Sequence, residues 1–359
     1  MLYRESGQFK KTYSEDMQVF PLREDRIGIA VILFIAAVVI PLTGSNFFLS
    51  TVMIPFLVFA LAAMGLNIVT GYTGLISLGT GAFMGVGAYA CYKLTTTFPG
   101  VPIVIWILVS GVFSAAIGAL FGLPSLRIKG FYLAVATLAA QFFLEWCFVR
   151  IPWLFNYNAS GAIEVPTRWI AGIPVTGPNA TPMTRYYVIL FIVVLMTWIA
   201  SNILHGRIGR SFMAVRDMDI AAELMGIRLL RTKLLAFAMS SFYCGVAGAT
   251  MMFLWYGGGE ASDAFNINQS FIILFMVIIG GLGSLIGCFF GAALLHIIPV
   301  TLKFGLPAIG IPLAGATAEH INHLLVGGLI ILFLIVEPHG LARLWQITKQ
   351  KLRTWPFPY

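Results

Sequence analysis

The sequence predicts an all-α membrane protein, a polytopic helical bundle of about ten transmembrane helices with Gly-rich broken segments. Hydrophobic residues make up 59% of its 359 residues and charged residues only 10%, whereas soluble domains average about 25% charged residues. Apolar runs recur from Ile27 to Val336, and roughly 20 apolar residues suffice to cross a bilayer. Basic residues gather in the short segments between these runs. Most of the chain is therefore expected to face lipid or other helices.

The apolar runs divide the chain into spans and connections. The predicted spans are, in chain order, Ile27–Thr43, Phe47–Thr70, Ala82–Thr97, Val101–Gly122, Phe131–Val149, Tyr186–Leu204, Leu234–Tyr256, Ser270–Ile279, Leu285–Val300 and His323–Val336. The shorter runs fit broken or tilted helices, which are tolerated where protein surrounds them. A transmembrane domain over 27–341 is thus expected between an N-terminal segment, 1–26, and a C-terminal segment, 342–359.

The distribution of Lys and Arg predicts the orientation. Basic residues concentrate in the N-terminal segment (five), the Pro124–Gly130 loop, the His205–Lys233 loop (six) and the C-terminal segment. With ten spans all four segments lie on one side, which the positive-inside rule assigns to the cytoplasm. Both termini are therefore predicted to be cytoplasmic. This pattern also accounts for the net charge of +8 without a nucleic-acid-binding surface, which would need a basic patch on one face.

A weak internal repeat marks two Gly-rich segments. Gly74-Leu75-Ile76-Ser77-Leu78 recurs as Gly281-Leu282-Gly283-Ser284-Leu285. Repeated halves with broken helices form the solute sites of many transporters, because free backbone groups can meet a polar solute there. The candidate residues are Gly71, Tyr72, Gly74, Ser77, Gly281, Gly283 and Ser284. The alternative is that these glycines only permit close helix packing.

The His205–Lys233 loop contains a second candidate element. Its stretch Ile220–Ile227 favours a short helix on which Ala221, Leu224 and Met225 share one face, and Gly226 is suited to end it. A small-residue helix on the cytoplasmic side is a candidate docking element. Its coupling residues are Ala221, Ala222, Glu223 and Gly226, the two alanines being small enough for a partner surface to approach closely. An ordinary amphipathic interfacial helix is the alternative.

Missing motifs limit the chemistry of the chain. The sequence has no G-x-x-x-x-G-K-[ST], no H-E-x-x-H and no G-x-S-x-G, which are the motifs of a P-loop, a zinc protease and a serine hydrolase. No catalytic residue, metal ligand or cofactor is therefore expected in this chain. Glu145 is the clearest acidic residue within a predicted span. Its proximity to the span end leaves an interfacial role open beside a functional one.

These segments resemble a known family. Ala221-Ala222-x-x-x-Gly226 is similar to the EAA motif of ABC importer permeases, with Ile220 where that motif begins with Glu. The wider sequence resembles the Liv-type permeases of branched-chain amino-acid importers, and its charged N-terminus resembles the longer of the two permeases that pair in that family. The matching segments are GLNIVTGYTGLISLGTGAFMGVGAYA at Gly65–Ala90, LRIKGFYLAVATLA at Leu126–Ala139, GRSFMAVRDMDIAAELMGI at Gly209–Ile227, KLLAFAMSSFYCGVAGA at Lys233–Ala249, GGLGSLIGCFFGAALL at Gly280–Leu295 and LIVEPHGL at Leu334–Leu341.

The resemblance implies a transport subunit in a bacterial inner membrane. Its implied partners are a second homologous permease, two ABC ATPase subunits that use ATP and Mg, and a periplasmic solute-binding protein. The implied cargo is leucine, isoleucine or valine, while related branches carry urea, short amides or other amino acids. A self-sufficient secondary transporter remains the alternative, since the missing P-loop fits both classes.

Overall fold

The computed structural model describes residues 12, 23–125, 132–158, 162–170, 172–305, 315–337 and 339–354, and most of these are helical. The helices are α1 (Arg23–Phe34, continued by Ile35–Val39 and Ile40–Thr43), α2 (Asn46–Thr70), α3 (Thr80–Thr97), α4 (Ile103–Ser125), α5 (Tyr132–Arg150), α6 (Pro182–His205), α7 (Arg207–Asp217), α8 (Asp219–Leu224), α9 (Leu229–Tyr256), α10 (Ala261–Ala264), α11 (Ile267–Gly280), α12 (Leu285–Phe304), α13 (Gly315–Val336) and α14 (Gly340–Thr354). Most of the N-terminal segment and the basic residues Arg127 and Lys129 lie outside the described residues.

Seven of these helices, α1, α2, α4, α5, α6, α9 and α12, are long and apolar enough to cross a membrane. The prediction of a helical membrane bundle is therefore confirmed, although seven is fewer than the expected ten. The other three predicted spans correspond to α3, α11 and α13. Helix α11 and the apolar part of α13, His320–Phe333, are shorter apolar helices, and α3 contains several Gly and Thr residues that reduce its hydropathy.

The core forms around α9, which packs against α2, α3 and α4. Small residues permit this, since a side chain at Gly87 of α3 would clash with the backbone of Gly245 in α9. One at Gly118 of α4 would clash with Ser241. Backbones that touch in this way gain van der Waals contact, which drives helix association in lipid. Gly118 thus permits close packing of α4 against α9.

Wide π turns interrupt several long helices and free backbone carbonyls, which other helices then satisfy. In α1, the carbonyl of Ala36 accepts a hydrogen bond from the Tyr186 hydroxyl of α6 at 2.7 Å. In α2, the carbonyl of Thr51 lies 2.9 Å from Nε2 of His296 in α12. These contacts attach α1 and α12 to the bundle without placing an unpaired polar group in an apolar environment.

Short strands occur in the connections that are predicted to be external. Strands β1 (Ile163–Glu164) and β4 (Gly258–Gly259) pair antiparallel, as do β2 (Trp169–Ile170) and β3 (Ile173–Pro174). The β1–β4 pairing joins the long connection after α5 to the end of α9. These strands are not predicted from the sequence, because two residues are too few to show an alternation of apolar and polar side chains.

Candidate coupling loop and break joint

The two Gly-rich repeats meet in the structure. The first is the non-helical connection 71–79 between α2 and α3, and the second is the connection 281–284 between α11 and α12. We call these two segments together the break joint. Each is a link between two helices, not a gap within one. The pairs α2–α3 and α11–α12 therefore meet at equivalent positions of the repeat.

Asn67, in the last turn of α2, holds the two segments together. Its amide nitrogen Nδ2 donates to the Ser284 carbonyl at 3.0 Å, and its Oδ1 accepts from the Gly283 N–H at 2.9 Å. The side chain is completely buried. One amide thus satisfies a backbone donor and a backbone acceptor more than 200 positions away. An unmade hydrogen bond to either group would cost about 1–3 kcal/mol.

Glycine is required in the break joint for two physical reasons. Gly74, Gly281 and Gly283 have φ of +72°, +114° and +78°, a region that other residues adopt only at a cost. Gly71 has an ordinary φ, but a side chain there would clash with the backbone N–H of Gly283. Four of the seven candidate path residues therefore shape the joint through their backbone.

The remaining candidates contribute side chains. The Ser284 hydroxyl caps α12 by accepting from the Gly287 N–H at 3.2 Å, and Ser77 is buried. Tyr72 is partly buried, and its hydroxyl is neutral at physiological pH, as a tyrosine phenol normally is. These groups supply polarity without a net charge.

Polar residues from α5 and α11 complete the start of α3, whose N-cap residue Gly79 has no side chain to cap it. Gln141 Oε1 accepts from the Ala82 N–H at 2.7 Å and from the Ser270 hydroxyl at 3.0 Å. Its Nε2 donates to the Phe265 carbonyl at 2.8 Å. Free N–H groups at a helix start need such partners. Gln141 is not predicted from the sequence, where its only signal is a single amide within an apolar run; the structure buries it completely.

Replacement of Gln141 by leucine is expected to destabilise the protein by about 2 kcal/mol or more, because it leaves the Ala82 N–H and the Phe265 carbonyl unpaired in the core. Leucine has a similar volume, so a cavity contributes little. The measurement is the thermal unfolding midpoint of the purified protein in detergent. Phe142→Leu, on the exposed face of the same helix, is the control. Equal midpoints for the two variants would contradict a structural role for the Gln141 amide.

The His205–Lys233 loop folds into two helices, α7 and α8, followed by a tight turn. Gly226 has φ of +87°, as the sequence analysis anticipates for a residue that ends this helix. The Gly226 N–H donates to the Glu223 carbonyl at 2.9 Å and the Ile227 N–H to the Ala222 carbonyl at 3.0 Å. This pair of bonds is a Schellman motif. The motif returns the chain towards α9, where Nζ of Lys233 lies 3.6 Å from Oδ2 of Asp219.

Burial in α8 corrects one expectation about the loop. Ala222 is completely buried within its own chain, and Ala221 is partly buried, so Ala222 has no surface on which a partner could bind. The exposed apolar residues are Met218 (67%), Ile220 (68%), Leu224 (85%) and Met225 (71%). We call these four residues the apolar loop face. Glu223 and Gly226 are exposed beside it.

Arg216, at the end of α7, connects the loop to the break joint. Its Nη1 donates to the Gly71 carbonyl at 3.1 Å. Its Nε and Nη2 each lie 3.0 Å from Asp217 Oδ1. In the sequence, Arg216 is only one of the six basic residues of the loop, because nothing local indicates its contact with Gly71, 145 positions away.

The described residues contain no group of three or more His, Cys, Asp or Glu side chains placed to hold a metal ion. Glu145 of α5 is partly buried. The polar part of the site therefore consists of backbone groups, amides, hydroxyls and one guanidinium.

Comparisons with known proteins agree with these features. The family model of the branched-chain amino acid transport system permease component matches residues 48–334. The high-affinity branched-chain amino acid transport permease LivM of Salmonella typhimurium is 29% identical over 308 residues, 79% of this chain and 68% of that protein. LivM of Escherichia coli strain K12 gives the same values. The fructose import permease FruG of Bifidobacterium longum is 25% identical over 326 residues, 83% of this chain and 88% of that protein. No solved structure matches significantly.

Proposed function

The chain belongs to the branched-chain amino acid transport permease family, and we propose that it is the membrane subunit of an ATP-driven importer of leucine, isoleucine and valine. The observation that carries this proposal is the family match across residues 48–334, which includes the break joint and the loop. Seven helices able to cross a membrane agree with it. The chain is a transport subunit and not an enzyme.

A different cargo is the second candidate. Relatives named as permeases for autoinducer 2 and fructose match the chain at 27% and 25% identity. Urea, short amides and other amino acids also fit a site whose polar groups are mostly uncharged. Branched-chain amino acids are favoured because the LivM proteins are the most similar of these relatives, at 29% identity. The choice among these cargoes reflects the difference between the affinities of the importer for each of them.

Uptake by intact cells tests the cargo. Deletion of the gene is expected to abolish high-affinity uptake of radiolabelled leucine at low micromolar concentration, and the plasmid-borne gene should restore it. Unlabelled isoleucine and valine should compete, while fructose and urea should not. Normal leucine uptake in the deletion strain, together with loss of fructose or urea uptake, would contradict the proposed cargo.

The apolar loop face is the proposed docking surface for an ATPase subunit. The chain has no P-loop, so in this proposal ATP and Mg are bound by two ABC ATPase subunits and the permease itself carries no cofactor. Met218, Ile220 and Leu224 expose apolar area at one side of a rigid loop. Such a patch is typical of protein interfaces. A second homologous permease and a periplasmic solute-binding protein complete the proposed assembly.

The break joint is proposed to lie beside the solute path. Two non-helical connections meet there, and the Gly71 carbonyl and the Ser77 and Tyr72 hydroxyls supply polarity without a full charge. Backbone that is not helical is tolerated at membrane depth where protein or a water-filled cavity surrounds it. A path lined mainly by uncharged polar groups, with the Arg216 guanidinium on the Gly71 carbonyl, suits an amino acid whose own charges cancel.

The proposed topology has ten spans in a bacterial inner membrane, with both termini in the cytoplasm. Helix α11, the apolar part of α13 and the buried helix α3 supply the three spans beyond the seven long ones. Protein contacts on their sides reduce the apolar length that each needs. The positive-inside rule sets the orientation.

Fusion reporters test this topology. A reporter that is active only outside the cytoplasm is expected to work when fused near Asn179 and to fail when fused after Lys233 or Tyr359. A cytoplasmic reporter at the same sites serves as the control and should give the opposite pattern. Activity of the external reporter after Lys233 would contradict both the ten-span count and the proposed docking side.

A further inference from the structure

Arg216 is placed between the apolar loop face and the break joint. Its guanidinium bonds to the Gly71 carbonyl, while Met218, the first residue of the apolar loop face, follows only two positions later. The Arg216 side chain is 38% exposed. In the described part of the chain, Arg216 is the one residue of the loop that is hydrogen-bonded to the break joint.

The contact extends to both repeats. A side chain at Gly283 would lie 3.1 Å from Arg216 Nη1, and one at Gly74 would lie 3.1 Å from Arg216 Cγ. The arginine therefore packs against the first segment of the joint at Gly71 and Gly74 and against the second at Gly283. Asn67 already ties these two segments together. A displacement of Arg216 must consequently disturb the whole joint.

The loop side of this link is rigid. Phe212 and Val215 of α7 are buried in the bundle, which fixes the helix that presents Arg216. Ala222 is buried and Asp219 pairs with Lys233 at 3.6 Å, so α8 is fastened as well. Packed elements of this kind move as units instead of deforming. Movement of the apolar loop face is then passed to Arg216.

The backbone of the break joint is able to change conformation when Arg216 moves. The Gly71 carbonyl belongs to the C-terminal end of α2, where carbonyls lack helical partners and a cation is favoured. Three glycines with positive φ lie around it, and glycine permits backbone rotation that other residues resist. Oδ1 of Asp217 accepts a hydrogen bond from Nε of Arg216. This bond holds the guanidinium in an orientation that directs Nη1 at the Gly71 carbonyl.

We propose that Arg216 is the positioning residue that couples the docked loop to the break joint, so that movement of the ATPase subunits changes the arrangement of α2–α3 against α11–α12. This inference rests on the proposed function. It assigns a role to a residue outside both groups of candidate site residues. Coupling of this kind is a free energy shared by two sites, and here one guanidinium carries it.

The test compares Arg216→Gln, Arg216→Lys and the control Arg210→Gln, which changes an exposed arginine of the same helix. Each permease is purified with its partner subunits and reconstituted into liposomes. Three quantities are measured: the amount of ATPase subunit that co-purifies, ATP hydrolysis with and without the loaded binding protein, and leucine taken up per ATP hydrolysed.

For Arg216→Gln we expect normal ATPase co-purification and persistent hydrolysis, with leucine taken up per ATP reduced at least about tenfold, the lower bound for loss of a charge-assisted hydrogen bond. Stimulation of hydrolysis by the loaded binding protein should also disappear. Arg216→Lys keeps the charge and one donor nitrogen, so its leucine uptake per ATP should lie between those of Arg216→Gln and the wild type. Arg210→Gln should match the wild type. A purely structural role would lower amount or stability but leave uptake per ATP unchanged.

Unchanged uptake per ATP in Arg216→Gln would overturn the inference while leaving the proposed function intact. If Arg216→Gln fails to insert, Arg216→Lys decides, because wild-type uptake per ATP in that variant would equally overturn it. A wild-type assembly that shows no ATP-dependent uptake contradicts the proposed function itself, and the inference then fails with it.

Discussion

Replacement of Leu224 by glutamate is expected to release the ATPase subunits from the purified assembly and to abolish uptake. Leu224 is the most exposed residue of the apolar loop face, at 85%, so its substitution leaves the fold of the permease intact. At a docked interface the introduced glutamate would bury an unpaired carboxylate. This weakens the binding free energy by about 3–5 kcal/mol and raises the dissociation constant at least a hundredfold. The measurements are co-purification of the ATPase and leucine uptake at equal permease abundance.

The matched control is Leu224→Met, which keeps an apolar side chain of similar volume and should behave as the wild type. Ala222→Glu is a poor substitute, because Ala222 is buried and a charge there would disrupt the loop itself. If Leu224→Glu retains the full amount of ATPase and normal uptake, the apolar loop face is an ordinary interfacial surface and not a docking site.

Replacement of Asn67 by leucine is expected to reduce uptake at least about tenfold and to lower the stability of the protein by about 2 kcal/mol or more, because two backbone groups lose their partners. A leucine at this completely buried position can neither accept from the Gly283 N–H nor donate to the Ser284 carbonyl. The hydrogen bonds that join the end of α2 to the second repeat are then lost. Uptake by cells and the unfolding midpoint in detergent measure the two effects.

The control for this variant is Asn202→Leu, in an exposed position near the end of α6, which should change neither quantity. The variant Asn67→Asp is used to separate an effect on the break joint from an effect on overall stability. An aspartate keeps an acceptor for Gly283 but cannot donate to the Ser284 carbonyl unless it is protonated. Normal uptake by both Asn67 variants would show that the amide is dispensable for transport.

Hydropathy predicts the bounds of a helix well where apolar residues reach both of its ends and poorly where polar residues begin it. The predicted span Phe47–Thr70 differs by one residue from α2, Asn46–Thr70, because apolar residues continue to both ends. By contrast, α13 begins at Gly315, eight residues before the predicted start at His323. Its first turns contain small and polar residues that a bundle accommodates but that an apolar window rejects.

The candidate site was predictable where the chemistry is local. Gly226 ends α8 with positive φ, and Gly281 and Gly283 also have positive φ. Glycine signals such positions by itself. Asn67, Gln141 and Arg216 were not predicted, since their partners lie 59 to 217 positions away. A single polar residue in or beside an apolar run gives no indication of what it meets.

The apolar loop face shows a further limit of periodicity. A 3.6-residue period groups residues of α8 by side but does not state which side faces the protein. Ala222 was expected to meet a partner because it is small, whereas the structure buries it and exposes Ile220 and Leu224. Ile220 stands where the resembling motif has a glutamate. An exposed isoleucine at that point favours an apolar contact over an ionic one.

The most direct measurement of the central claim is uptake of radiolabelled leucine by proteoliposomes. One set contains this chain with the second permease, the two ATPase subunits and the loaded binding protein, and the other contains this chain alone. The account predicts uptake only in the complete set and only with ATP. Leucine uptake by the chain alone, driven by an ion gradient without ATP, would contradict it and establish a self-sufficient secondary transporter.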